Sequence, residues 1–447
     1  MSIIAQIEQA GVVGAGGAGF PSHVKFKAKV EYLIVNAAEC EPLLQTDHYI
    51  MLHHAKEVIT AIERTCEEVE ATHAIVATKA YYKAEIQALE QAIKSLGSNV
   101  RLHFMDNFYP AGDEQVMVYE VTGRVVPQAG IPLMVGCIVT NITTMYNVYH
   151  AITTKQPVTT KQLTVIGQVR EPTLIEAPIG TSFGDVLAAA GGCSLDNYLC
   201  IDGGPMMGNI YHQYEIADKV VTKTTSALII KADDGYLSKL KNQSLKRIMA
   251  ETKSSCVQCT LCTELCPRQM LGHAVFPHRV MRYFSGGKVE ISDNEILIGA
   301  QLCCSCGVCE VIACPMGISP RQVNEYVKDN LGKLGVRYTN EKESYIVDSM
   351  RDYRAVSPKN ILIKMGLSKY QSMILSTMKK IETAEVVIPL QMHIGAPSVP
   401  VVTVGDHVCL GDLIADIPQK ALGAKVHASI AGQVMSVDNQ QIHIKKV

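Results

Sequence analysis

Nine of the chain's fifteen cysteines lie between Cys256 and Cys314, arranged in two runs. The first run, CVQCTLCTELCP, sets Cys256, Cys259, Cys262 and Cys266 before Pro267 with the spacing C-x2-C-x2-C-x3-C-P. Thiolates two residues apart on a tight loop can each take one iron of a [4Fe–4S] cube. The fourth, turned away at the proline, can reach a second cube. The second run, CCSCGVCEVIACP, keeps the same rhythm in Cys303, Cys306, Cys309 and Cys314, but has four residues before the last cysteine instead of three. Cys304 breaks the rhythm and is read as a spare thiol beside the cluster, with substitution for Cys303 as the alternative. A zinc module would use two CxxC knuckles separated by a longer loop. The spacing therefore favours two adjacent cubes, and such a wire needs an electron source and a sink.

A candidate source lies near the N-terminus, in GVVGAGGAGFPSHVKFK (residues 11–27). Gly14, Gly16, Gly17 and Gly19 permit close backbone approach and positive φ, so successive N–H groups can converge on a phosphate. The loop precedes the first strand-like run, EYLIVN, so it is not the plain dinucleotide motif, which follows a strand and opens a helix. The turn AAECEP then supplies Glu39 and Glu41. A helical stretch over residues 43–70 and the runs THAIVATKA, YYKAEIQALEQAIKSLG and NVRLHFM alternate helix and buried strand, which predicts an α/β domain.

These groups must be positioned by a chain of 447 residues, enough for about three domains. With 47% hydrophobic and 19% charged residues it can bury sizeable cores, and its net charge of −2 gives no broad electrostatic case for nucleic acid or an anionic membrane surface. No run of eighteen apolar residues predicts a membrane span. The first residues lack the features of a signal peptide, so the cysteines point to metal or redox chemistry in the cytoplasm and not to disulfides.

Residues 161–208 alternate short β-rich runs with one helix, and the turn GGPMMG (203–208) places methionines in a core or an interface. The basic segment LSKLKNQSLKRIMAETK reads as a solvated helix face. His273 and His278 read as core or surface residues. Residues 318–383 read as helical and connective. The last sixty or so residues, valine-rich runs split by Gly-Asp and Ala-Gly turns, predict a small β-sandwich.

GAGGAGFPSHVKFK followed by YLIVNAAECEP resembles the FMN- and NADH-binding component of respiratory complex I, and more closely the RnfC component of Rnf electron-transport complexes. The resemblance implies that Gly14, Gly16, Gly17, Gly19 and Lys25 hold FMN. It also implies that Asn36, Glu39 and Glu41 line the flavin edge and the nicotinamide approach. YPAGDEQ resembles a later acidic turn of the same family and gives Gly112, Asp113 and Glu114; TNITT gives Asn141, beneath the flavin. Glu39, Glu41 and Glu114 would orient flavin and nicotinamide. Ala38 stands where complex I has an aspartate, and Cys40 where it has a glycine. Residues 161–208 resemble the soluble-ligand-binding β-grasp module. VGDHVCLGDLIA and HASIAGQV resemble the two halves of the barrel-sandwich hybrid fold; Lys420 and Lys425 lack the neighbours of a carrier lysine, so that module reads as a docking domain.

The implied architecture is α/β and multidomain. It comprises a Rossmann-like flavoprotein domain (1–158), a β-grasp module (159–235), a helical ferredoxin-type domain with two [4Fe–4S] clusters (236–335), a helical connector (336–383) and a C-terminal barrel-sandwich hybrid (384–447). The barrel-sandwich module comes last, as in the corrinoid reductases of propanediol-utilisation microcompartments. That resemblance implies electron flow from NADH through FMN and the clusters to a corrinoid, taking Co(III) to Co(II) and towards Co(I). It further implies a cobalamin adenosyltransferase and shell proteins as partners, a cytoplasmic location inside a microcompartment, and room for a homo-oligomer. His393 could meet a corrinoid but reads as structural. The alternatives are a soluble Rnf-type electron-transfer component that acts only with partners, and a scaffold with a degenerate flavin site, of which Ala38 would be the sign.

Overall fold

The computed structural model describes residues 1–286 and 290–447; residues 287–289, inside the expected cluster domain, lie outside the described residues. The N-terminal module is built on an all-parallel sheet of β1 (Tyr32–Ala37), β2 (His73–Lys79), β3 (Arg101–Met105) and β4 (Cys137–Asn141), in the order β3-β2-β1-β4. Leu33, Ile34 and Val35 are fully buried, as a strand covered on both faces requires. The helix expected over 43–70 is two helices, Thr46–His53 and Ala55–Glu68, joined at His54, whose φ of −128° leaves the helical region. The break lets each helix bury its own apolar residues, Ile50 and Met51 from one and Val58, Ile59 and Ile62 from the other.

The β-grasp module contributes β5 (Thr160–Gly167), β6 (Thr173–Pro178), β7 (Tyr198–Asp202), β8 (Asn209–His212) and β9 (Ala227–Ala232), with one helix, Phe183–Ala189. A sixth strand, β10 (Met378–Lys380), completes the order β10-β6-β5-β9-β7-β8 and comes from the segment expected to be a helical connector. That expectation is corrected. Residues 336–383 hold one α-helix, Pro358–Lys364, two short 3-10 turns and the strand β10, with irregular chain between them. The polar run NEKESY has no helical apolar period, and Gly335, Pro358 and Gly366 punctuate the rest. The segment's apolar residues, Ile361, Leu362, Met365, Leu367 and Tyr370, instead fill a core shared by the β-grasp sheet and the second cysteine run.

In the cluster module, helices Leu245–Ser255, Pro277–Ser285 and Pro320–Lys333 pack around Ile248, Val280, Phe284, Val323 and Val327. The C-terminal module folds into two small sheets from β11 (Glu385–Pro389), β12 (Val399–Pro400), β13 (His407–Val408), β14 (Leu413–Asp416), β15 (Val426–His427), β16 (Gly432–Val437) and β17 (Gln441–Lys445). Their orders are β11-β17-β16-β13 and β12-β14-β15. One continuous core runs from Leu33, Ile59 and Ile142 of the first module to Ile388, Ile414, Val434 and Ile444 of the last. The two ends of the chain are thus one packing unit. Among the described residues no helix is long and apolar enough to cross a membrane.

Candidate functional site

The glycine loop turns over the C-terminal ends of β1 and β4, the edge at which parallel α/β sheets take ligands. Sheet register puts Asn36 directly beside Asn141. Asn141 caps the helix Ile142–Tyr149 by accepting from Thr143 N at 2.9 Å, and its Nδ2 donates to Asp47 Oδ2 at 2.8 Å. A Cβ on Gly16 would come within 2.7 Å of that Nδ2, so the side chain and the loop backbone are already in contact. Beneath the loop, Ala15 N donates to Thr144 Oγ1 at 2.9 Å and Lys161 Nζ donates to the Ala15 carbonyl at 2.9 Å. Above it, Gly16, Gly17 and Ala18 are exposed, and no atom of the described residues lies within 4 Å of a Cβ built on Gly17. A loop braced from below with open backbone above fits a phosphate-bearing group. Gly14 pairs with Phe20 across the loop neck, and Gly19 (φ +73°) meets the C-terminal module, where Ile394 N donates to its carbonyl at 3.2 Å.

Lys25 Nζ donates to Glu114 Oε1 and to the Val139 carbonyl, both at 2.8 Å, which ties two of the expected site residues to the end of β4. Asn36 Nδ2 donates to the Gly112 carbonyl at 3.2 Å. A Cβ on Gly112 would lie 3.0 Å from Cys40 Sγ, so this turn also needs glycine for close approach.

The two acidic residues of AECEP part ways. Glu39 stays near the sheet edge, where burial and the neighbouring Asp47 push its carboxyl up to about 8. Lys161, buried beside Asp47 and Glu39, is pulled down to about 8 by the same loss of water. Glu41 instead reaches the GGPMMG turn. Its Oε2 accepts from Met206 N at 2.9 Å, and any side chain on Gly204 would overlap its carboxylate. Burial raises Glu41 to about 7. The methionine turn is an interface, one of the two readings its sequence allowed.

The cysteines fall into two groups that cross the runs. Cys256, Cys259 and Cys262 line one cavity together with Cys314 from the second run. Cys266 has Cys304 and Cys303 as neighbours, Cys309 has Cys303 and Cys266, and Cys306 has Cys304, Cys266 and Cys309. The two loops repeat one backbone pattern. Gln258 (φ 54°) and Thr260 (φ 67°) in the first match Ser305 (φ 57°) and Gly307 (φ 79°) in the second, which aligns Cys303, and not Cys304, with Cys256. The extra residue before Cys314 is taken up by a π-helical turn, Val308–Ala313, where the first run has the α-helical turn Leu261–Glu264. Cys304 is packed inside the second group, against Cys306 and Arg268. Among the described residues no three His, Cys, Asp or Glu side chains converge as one ion's ligands would; a cube, whose four irons each take one thiolate, does not ask for that. Burial pushes the Cys262 thiol up to about 12, so its thiolate needs the charge of bound iron.

The groups differ in setting. The first opens on the surface, with Cys259 exposed and Val257 and Met316 exposed at its rim. The second, with Cys306 buried and Cys266, Cys303 and Cys309 half-buried, packs against the flavin-type module, where the Tyr109 hydroxyl donates to the Cys306 carbonyl at 2.7 Å and lies 3.4 Å from Glu41 Oε1. Arg268, two residues after Cys266, pairs with Asp113 at 2.8 Å; Asp113 also caps the helix Glu114–Thr122. Arg321 of the cluster module ties it to the β-grasp module by donating to the Met206 carbonyl at 3.1 Å, and pairs with Glu310 of its own module at 2.6 Å. Asp47, Lys161, Arg268 and Arg321 carried no sequence signal beyond their residue type, and Tyr109 only its place at the head of YPAGDEQ. His393 is buried, with Nε2 against the Ala396 carbonyl, and Lys425 pairs with Asp416 at 2.9 Å.

Four family models match the chain in order: the Nuo51 FMN-binding domain (residues 7–150), the SLBB domain (162–209), a 4Fe-4S dicluster domain (255–319) and the RnfC barrel-sandwich hybrid domain (363–446). The cobalamin reductase PduS of Citrobacter freundii is 39% identical over 98% of this chain and 95% of that protein. The PduS of Salmonella typhimurium is 38% identical over the same shares. A component of the proton-translocating ferredoxin:NAD(+) oxidoreductase complex of Clostridium ljungdahlii is 32% identical over 59% of this chain and 55% of that component. The molecule is an electron-transfer flavo-iron–sulfur oxidoreductase, with FMN and 4Fe-4S clusters as its cofactors.

Proposed function

The chain belongs to the PduS cobalamin reductase family, and on that premise we propose that it is an NADH-dependent corrinoid reductase. It would reduce cob(III)alamin to cob(II)alamin and towards the cob(I) state that an adenosyltransferase consumes. When bound, FMN supplies the change from two-electron to one-electron chemistry, and the cubes supply the one-electron relay. Gly14, Gly16, Gly17 and Gly19 form the phosphate cradle, braced by Thr144 and Lys161. Asn36, Gly112 and Asn141 shape the sheet edge, and Lys25 with Glu114 sets its charge. Glu39, held near neutrality by burial, is the residue that can keep or yield a proton at that edge. Glu41 and Asp113 act on the module interfaces.

The observation that carries this reading is the inequality of the two cysteine groups. The inner one, Cys266, Cys303, Cys306 and Cys309, is bonded to the flavin-type module through Tyr109 and the Arg268–Asp113 pair. The outer one, Cys256, Cys259, Cys262 and Cys314, opens on the surface. A cube held by Cys266, Cys303, Cys306 and Cys309 would stand on the flavin side, and one held by Cys256, Cys259, Cys262 and Cys314 would stand where an acceptor can meet solvent. Shell proteins and an adenosyltransferase are the protein partners this reading proposes, with a microcompartment as the setting.

The test is an anaerobic absorbance titration of the purified protein after iron, sulfide and FMN have been quantified. NADH is added first and hydroxocobalamin second. Bleaching of the flavin and cluster bands, then the appearance of cob(II)alamin, is the expected result. A protein that contains FMN and clusters yet stays oxidised under NADH would overturn the reading and favour a partner-dependent carrier, as the partial match to the Clostridium component allows. A protein without FMN would leave the scaffold.

A further inference from the structure

Arg268 is buried more deeply than its known partner explains. Its side chain is 11% exposed, and one terminal nitrogen, Nη2, is bonded to Asp113 Oδ2 at 2.8 Å. The other two, Nε and Nη1, are also buried and bond no oxygen among the described residues; the side-chain acceptor beside the guanidinium, apart from Asp113, is the Cys304 sulfur. Leaving donors of a buried guanidinium unpaired costs free energy. Such donors point to an acceptor that the protein's own oxygens do not supply. The groups beside them are Asp113, Cys304 and Cys266, so apart from the bonded carboxylate the guanidinium faces sulfur. His273, close by, donates from Nε2 to the Val126 carbonyl at 2.9 Å and is held neutral by burial, with a pKa of about 4. Arg268 is therefore the permanent positive charge at this wall of the inner cysteine group.

We propose that Arg268 is a positioning residue for the inner cube, turning its Nε and Nη1 donors onto the sulfur atoms there while Asp113 fixes the guanidinium from the flavin-type module. Reduction adds one negative charge to a cube, and donors and a cation at its sulfurs stabilise the reduced form more than the oxidised form. The inner cube is held at a higher potential than it would have without Arg268, which makes it a ready acceptor from the flavin side. Asp113 does two tasks with one carboxylate, since it caps the helix Glu114–Thr122 and locks the orientation of the fork. A lysine at 268 would keep the charge but lose the planar fork that serves a carboxylate and two sulfurs together.

This inference rests on the two-cube reading, which the iron and sulfide content of the unaltered protein tests separately. The experiment is an anaerobic potentiometric titration of the holoprotein, followed by electron paramagnetic resonance of each cube, for the unaltered protein, Arg268→Gln and Arg268→Lys. At an ambient potential equal to the unaltered inner midpoint, Arg268→Gln should lower the reduced-to-oxidised ratio of the inner cube about tenfold, ~59 mV for a one-electron couple. The outer cube should not shift, and Arg268→Lys should lie between. A purely structural arginine would lower stability without moving this potential. An unchanged inner potential with both cubes present overturns the proposal, as does an equal shift of both cubes. If the glutamine variant cannot hold the inner cube, the lysine variant decides: a partial shift supports the proposal and an unchanged potential overturns it. Loss of the inner cube from both variants also overturns it, because a tuning residue is not needed for assembly.

Discussion

Glu39 and Glu41 stand two residues apart yet answer to different neighbours, one to Asp47 and Lys161 at the sheet edge, the other to Met206 and Tyr109 at the module interface. Both carboxyls are raised by burial, to about 8 and about 7. The unfolded chain loses these protons near pH ~4.3, so between that pH and 8 the folded state binds more protons than the unfolded one. Stability from these groups is fully present below the unfolded value and falls as pH rises, by less than about 1.4 kcal/mol per pH unit for each. Lys161 and Lys223, lowered to about 8 and about 7, act in the opposite sense above neutrality. The test is therefore a comparison with a variant at each pH. Glu39→Gln should flatten the fall in the urea midpoint between pH 6 and 8, followed by circular dichroism. An unaltered slope would assign the proton to another group. The positions of both glutamates were legible from the motif AECEP; their separate neighbours were not, because Lys161, Met206 and Tyr109 lie far along the chain.

The two cysteine runs show how an element can absorb an irregular spacing. Their rhythm was readable from x2, x2 alone, and the shared left-handed positions at Gln258, Thr260, Ser305 and Gly307 show that both form the same loop. The π-helical turn before Cys314 keeps the last thiol on the partner site despite the added residue. The proposed ligation, crossed between the runs, makes a specific forecast. Cys314→Ala should remove the outer cube, although three of its ligands belong to the other run, and Cys266→Ala should remove the inner one. Each variant should retain about half the iron, and the surviving resonance signals should be those of different cubes. If both variants lost the same cube, the crossed grouping would be wrong.

At the scale of the whole molecule, the C-terminal module packs on the N-terminal one through a common core. Lys223 fastens the seam by donating to the carbonyls of Gly11 and Lys425, both at 2.7 Å. A chain truncated after residue 383 should therefore fail as a soluble flavoprotein, because Ile388, Ile414 and Val434 no longer cover the helices of the first module. Expression of residues 1–383 with measurement of soluble FMN content checks this. A monodisperse, FMN-loaded product would show that the shared core is dispensable.

The sequence by itself determined the set of modules, because each is marked by local chemistry. Cysteine spacing, a glycine run before a strand and valine-rich runs between turns all act over a dozen residues or fewer. Tertiary structure alone decided which group of cysteines lies inside, which glutamate faces the sheet edge, that residues 378–380 form an edge strand, and that Arg268 stands between a carboxylate and the inner thiols. Those outcomes depend on which surfaces exclude water together, and residues more than a hundred positions apart in the chain meet only when the modules have packed.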